Sequence, residues 1–250
     1  MFVIERLVRT MRYRPALLLE HDVSGSMMDR AYFTLKRDII ELKRPPGQNF
    51  TEPEVAASMG LSKTPVREAL ARLHRDGLVQ PLPRAGYVVS SVTLGDVANL
   101  CDMRTLLQGE AAALTATLGL AAAQSDRLVE LCADDNYGQL GGPHLDTRLR
   151  ENYEFESIIA NGSGNARLTR SVVEVLDEIE RVVRLAVTLS PSMPESRIGE
   201  RTAIVDAVIA QDPVAARSAM QHRTRSARRE IIDALTSSHA VTSTPILMPG

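Results

Sequence analysis

Lys63, Thr64 and Arg67 place an ammonium, a hydroxyl and a guanidinium within five residues at the start of one short helix. Their neighbours Val66, Ala69, Leu70 and Leu73 recur at i, i+3, i+4 and i+7, so the apolar stripe faces a core and the three polar side chains are left outside. Groups that donate to phosphates and base edges, carried on the N-terminal end of a helix, are what a recognition helix brings into the major groove.

The surrounding residues supply the frame. Thr51 opens a preceding helix with Glu52 and Glu54 in its first turn, where carboxylates meet the positive end of the helix dipole, and Val55, Ala56 and Met59 give it a small apolar face. Gly60 ends that helix in a tight turn, Ser62 is the N-cap of the next, and Pro65 sits early, where a missing N–H costs nothing. Gly77 stops the second helix. Leu78-Val79 and Tyr87–Val89 then read as two strands joined through Pro81, Pro83, Arg84 and Gly86, a β-hairpin wing with an arginine at its tip. The stretch 51–89 therefore reads as a winged helix-turn-helix.

Composition agrees once charge is divided by region. Residues 1–93 hold 14 Lys and Arg against 10 Asp and Glu, whereas residues 94–250 hold 15 Arg against 21 Asp and Glu. Positive charge gathers where phosphates would lie, and the acidic remainder is kept away from them. The absence of Trp and the abundance of Ala, Leu, Val and Arg favour helices over a sandwich or barrel. Cys101 and Cys132 have neither metal-ligand spacing nor a secretory context, which points to a reduced, cytoplasmic setting. No apolar run approaches the roughly 20 residues of a membrane span, so no membrane partner is expected.

Residues 1–28 read as a flexible extension rich in arginine, with too short an apolar run for a signal peptide. The domain from 29 to 93 begins with a helix over Asp29–Arg44, stopped by Pro45-Pro46-Gly47. After a short linker, Thr93 and Asp96 form a capping-box pattern. Amphipathic helices follow near 94–118, 124–137, 146–161, 165–189, 195–210 and 213–236, separated by Gly and Pro breakers. The fold class is mainly α: an N-terminal winged helix-turn-helix with a small β wing, then an all-α bundle over 94–236 and a disordered tail over 237–250. The segment Ala160–Asn165 lacks the lysine and preceding strand of a phosphate loop and reads as an inter-helix turn.

Three ordered segments, LSKTPVREALARLHRDGLVQPLPRAGYVV, CDMRTLLQGEAAALTA and the pair NYEFESIIANGSGN and ERTAIVDAVIAQDPVAARSAMQH, resemble the GntR family of bacterial transcription regulators, in its FadR-like branch with a C-terminal FCD domain. The resemblance covers roughly residues 30–236. It implies a homodimer that binds a double-stranded DNA operator with a short inverted repeat, and a small-molecule effector inside the bundle that modulates this binding. By position, Ser62, Lys63, Thr64 and Arg67 would touch phosphates and base edges, and the wing from Arg84 to Gly86 would reach the minor groove. Lys63 stands where many members have arginine, and lysine lacks the planar fork for bidentate reading of guanine.

Many FCD domains hold a divalent metal, and the resemblance puts Asn152, Glu156, Arg201 and His222 at its ligand positions. Arginine offers no lone pair, so neither metal nor other cofactor is expected. Asn152 and Glu156 are i and i+4 on one helix and share a face. The expectation is that Glu156 pairs with Arg201, that Arg201 and Arg104 bind the acidic group of an organic-acid effector, and that Asn152 and His222 add directional hydrogen bonds. An interhelical ion pair tying the bundle together is the alternative for Glu156 and Arg201. Two other functions are weighed: a helical enzyme using Glu156 and His222 as acid and base, which lacks a nucleophile elbow, oxyanion loop or cofactor motif, and a non-specific DNA-binding protein, which would not need so large an acidic bundle.

Overall fold

The chain's structure, a computed structural model, describes residues 26–133, 140–193 and 198–237. The first helix, α1 (Met27–Ile40), begins two residues before the sequence pattern suggests and ends four residues earlier. Ser26 sets the start: its hydroxyl accepts from the Asp29 N–H, while the Asp29 carboxylate accepts from the Ser26 N–H and hydroxyl. Leu42 sets the end by adopting φ 60, which no helix continues. Ser26–Met28 thus belong to the folded unit, and the remainder of the expected N-terminal extension lies outside the described residues.

Helices α2 (Glu52–Met59) and α3 (Lys63–Arg75) form the helix-turn-helix, with Gly60 in the left-handed region between them. The sheet contains a strand that hydrophobic alternation did not reveal. β1 (Asn49–Phe50) joins β2 (Val79–Leu82) and β3 (Gly86–Val89) in the antiparallel order β1-β3-β2, with Phe50 opposite Tyr87. Gly86 has φ 93, and a Cβ there would stand 2.4 Å from the Phe50 carbonyl oxygen, so the wing closes on β1 only with glycine at this position. Ala31, Leu35, Ile39, Val55, Val66, Leu70, Leu73, Val79 and Val89 make one core under the three helices and the sheet.

The bundle comprises α4 (Leu94–Leu118), α5 (Ala122–Ala133), α6 (Leu145–Gly162), α7 (Ala166–Leu189), α8 (Ile198–Ile209) and α9 (Pro213–Ser237). Among the described residues the breakers Gly119, Gly142 and Gly164 lie between helices with positive φ. Thr93 and Asp96 make the expected capping box, and Asn165 accepts from the N–H groups of Arg167 and Leu168 to start α7, so the inter-helix turn is Ser163–Asn165 and Ala160–Gly162 are the last residues of α6. The expected end of α5 at 137, the start of α8 at 195 and the tail beyond Ser237 fall outside the described residues. α4 and α9 pack most extensively, helped by Ala112 and Ala116 and by Gly109, where a Cβ would come within 2.8 Å of Gln221. Among the described residues no helix is long and apolar enough to cross a membrane.

α7 joins the two parts. Asp177 accepts from the Lys36 ammonium of α1 at 2.5 Å, and one turn later Arg181 donates to the Ser90 carbonyl in the linker. Leu42, just beyond the end of α1, packs against the bundle core. The opposite edge of the same turn of α7 presents Ile179 and Val183 to a cavity in the bundle.

Candidate functional site

Two regions carry unabsorbed polar chemistry. At the outer end of α3, Lys63, Thr64 and Arg67 are all exposed, as the apolar stripe of that helix requires. Ser62 occupies the N-cap, but its hydroxyl accepts no capping hydrogen bond and is exposed, which leaves it available to a phosphate. Arg84 lies at the wing tip in a left-handed conformation, φ 64, two residues before Gly86. The Arg67 guanidinium lies side-on to Glu52, the first residue of α2: Nε donates to both carboxylate oxygens at 3.2 Å and Nη2 donates to Oε2 at 3.0 Å. Two other cations of this unit are engaged elsewhere. Arg72 stacks over the Tyr32 ring, 3.7 Å from its centroid, and Lys36 is spent on Asp177.

The second region is a cavity of about 50 Å³ inside the bundle. A water needs roughly 10–15 Å³ on this measure, so the space admits a group of a few heavy atoms. α4 contributes Arg104, α6 contributes Arg148, Asn152 and Tyr153, α8 contributes Arg201 and α9 contributes Arg223, with Leu140, Met193, Ile179 and Val183 as apolar wall. Glu156, fully buried beside them, accepts from Arg104 Nη2 at 2.5 Å, Arg223 Nη1 at 2.6 Å, Gln108 Nε2 at 2.8 Å and Asn152 Nδ2 at 3.3 Å. Burial would raise its pKa, but the charges of Arg104 and Arg223, with the Gln108 hydrogen bond, outweigh that and hold the carboxyl down at about 2. Asn152 Oδ1 accepts from Arg201 at 3.2 Å and also from Arg223. Arg201 Nη1 donates to the Leu131 carbonyl at 3.0 Å. Among the described residues the buried Tyr153 hydroxyl and Nε of both Arg104 and Arg223 have no hydrogen-bond partner.

The structure corrects two expectations here. Glu156 is taken by Arg104 and Arg223, while the described hydrogen bonds of Arg201 go to Asn152 and Leu131, so the expected Glu156–Arg201 pair gives way to a wider network. His222 is not in the cavity: its side chain is 70% exposed, with Nε2 3.5 Å from the Glu200 carboxylate. The acid–base pair of Glu156 and His222 is therefore not assembled, and a carboxyl held at about 2 is no general acid near neutral pH. Sequence reasoning missed Arg223 and Arg148, although the signal for both was present. The buried stripe of α9, Ala216, Met220, Ala227 and Ile231, puts position 223 inside and 222 outside; Arg148, Asn152 and Glu156 recur at i+4 on α6.

These residues do not fit the divalent metal that the FCD resemblance implies. Glu156 and Asn152 spend their oxygens on guanidinium and amide donors, and Arg201 offers no lone pair. Among the described residues no three His, Cys, Asp or Glu side chains gather as a ligand set elsewhere. The group that suits four guanidiniums around a small space is an anion, because Arg forks match carboxylate geometry.

Comparison with known proteins matches residues 28–89 to the bacterial regulatory proteins of the gntR family and residues 99–226 to the FCD domain. An HTH-type transcriptional regulator in an unstable DNA locus of Streptomyces ambofaciens is 32% identical over 200 residues, which is 78% of this chain and 80% of that protein. The HTH-type transcriptional regulator YdhC of Bacillus subtilis is 25% identical over 187 residues, covering 74% of this chain and 82% of its own. Among solved structures, Escherichia coli McbR/YncC superposes with a TM-score of 0.70 at 20% identity, over 83% of this chain and 97% of its own.

Proposed function

The chain belongs to the gntR family of bacterial regulatory proteins and carries its FCD domain, and from that premise we propose that it is a cytoplasmic homodimer released from its operator by a small organic acid held in the bundle. It is a DNA-binding transcriptional regulator, with the winged helix-turn-helix as reader and the FCD domain as effector-binding part. The observation that carries the finer reading is the convergence of Arg104, Arg148, Arg201 and Arg223 on one cavity from four helices. Glu156 compensates part of that charge, and with Glu230 it leaves the lining with more guanidiniums than carboxylates.

On this reading the acid group of the effector lies against Arg201, with Arg104, Arg223 and Asn152 adding hydrogen bonds. Ser62, Lys63 and Thr64 meet phosphates and base edges, and Arg84 with Gly86 brings the wing to the minor groove. Dimerisation follows from operator geometry, since one winged helix makes too few base contacts for operator-level specificity and two must be held about one helical turn apart. Met103 and Leu106, both well exposed on the outer side of α4, support a contact between copies there. Sedimentation should give twice the chain mass of 27.3 kDa. A monomer at micromolar concentration with full operator affinity contradicts the dimer. The effector reading is tested by thermal shift against a panel of small mono- and dicarboxylic acids, with and without a chelator. At least one acid should raise the midpoint equally in both conditions; stabilisation that requires divalent metal, or none by any acid, sinks it.

A further inference from the structure

We infer that Glu52 is a positioning residue for sequence reading: it turns Arg67 into a fixed, charge-neutralised fork that reads a guanine edge instead of gripping phosphate. This rests on the proposed role of the α3 face in DNA binding and goes beyond it by assigning how one arginine is used.

A guanidinium has two forked edges. Glu52 takes the side edge, since both oxygens accept from Nε and one also accepts from Nη2. The end edge, formed by Nη1 and the second N–H of Nη2, is left with two parallel donors, the arrangement that meets guanine O6 and N7. The side chain that carries it is 67% exposed, whereas Glu52 is only 19% exposed, so the carboxylate lies behind and the fork in front. Glu52 is free for this task because Glu54, not Glu52, closes the capping box with Thr51. Its place in the first turn of α2 also favours the charged form.

Charge decides between base and phosphate. Phosphate contacts draw their strength from net positive charge and counterion release. Arg67 with a carboxylate bound to it brings little net charge to the backbone, and Glu52 itself repels a nearby phosphate. What survives neutralisation is direction: a rigid pair of donors with few rotamers left to lose. Lys63 has no such fork, so Arg67 is the base reader of this helix and Lys63 a phosphate contact.

The test uses the full-length protein and the duplex it enriches from a random pool, with a scrambled duplex as reference. Glu52→Gln should lower the preference for the enriched duplex by about tenfold, within the range of one bidentate base contact. It should also strengthen binding to the scrambled duplex and steepen the salt dependence, because a negative charge has been removed. Arg67→Ala should lose the preference to a similar extent, and adding Glu52→Gln to it should cost no further preference. A structural role alone would lower both affinities together with the melting midpoint. If Glu52→Gln leaves the preference unchanged while Arg67→Ala abolishes it, Arg67 reads DNA without Glu52 and the inference fails. If Arg67→Ala is also silent, or the native protein enriches no duplex, the reading of the α3 face fails with it.

Discussion

Among the glutamate–arginine contacts of this molecule, two lie in opposite surroundings. Glu52 and Arg67 meet at the surface, at the exposed N-terminal end of α3; Glu156 meets Arg104 and Arg223 in the interior of the bundle. In water such a pair adds little to stability, and its value lies in where it holds the fork. In the interior the same groups cost several kcal/mol each to desolvate, so each must be paired, and losing one member strands the others. The exposed pair can be altered without endangering the fold, and so can set recognition. In the buried network the guanidiniums outnumber the carboxylate they share, which is what the proposed binding of an organic acid rests on.

Glu156→Gln gives the largest expected effect. It strands Arg104 and Arg223 with reduced compensation and should lower unfolding free energy by about 3–5 kcal/mol, read by urea titration at neutral pH. A loss as small as that of a surface change would mean that the network is not a buried one. The native chain should show the same dependence in acid. A carboxyl whose folded pKa is depressed to about 2 from 4.5 stabilises fully above the higher value and progressively less as pH falls between the two.

Glu180 on α7 provides the counter-case, with the opposite sign. Its Oε1 accepts from Arg184 at 2.9 Å while the buried Oε2 has no hydrogen-bond partner among the described residues. Burial pushes its pKa up to about 7, against the pull of Arg184 and Arg37 and with the repulsion of Asp177. The folded state then binds the proton more tightly than the unfolded, so this contribution is complete below 4.5 and is lost as pH rises through 7. Glu180→Gln should remove that slope and stabilise the protein above pH 7 by about 2–3 kcal/mol. An unchanged pH profile would show that the carboxyl titrates normally.

Asp177→Asn tests the joint between the two regions. It leaves the Lys36 ammonium, largely buried, without its charged partner and should cost roughly 1.5–3 kcal/mol. It should also separate the unfolding of the N-terminal unit from that of the bundle in calorimetry. A single unshifted transition would show that α7 does not couple them through this pair. Glu52→Gln stands last, with no shift of the melting midpoint expected beyond error; a clear drop would erase the contrast between the exposed and buried pairs.

Most of the fold was legible because its signals are local. Gly60, Gly77, Thr93 with Asp96, and Asn165 each act on the backbone beside them, and the helices of the bundle start and stop near the breakers that the sequence displays. β1 was not legible, since two residues carry no alternation and the strand exists only through pairing with β3. The solvent-facing side of α3 followed from its apolar stripe. The cavity was half legible. Positional likeness pointed to His222, whereas the helical period of α9 assigns the inward place to Arg223, and periodicity expresses burial more directly than likeness does. No sequence pattern showed that Glu52 would meet Arg67, because the contact spans the turn between two helices.

The most direct test of the account uses operator release. Purified native protein and Arg201→Met are bound to the enriched duplex carrying a fluorophore, and the acid that stabilises the native protein most is titrated in while anisotropy is read. The account predicts release from the native protein and retention by Arg201→Met, with equal starting affinities for DNA. Release of both at the same acid concentration would contradict it.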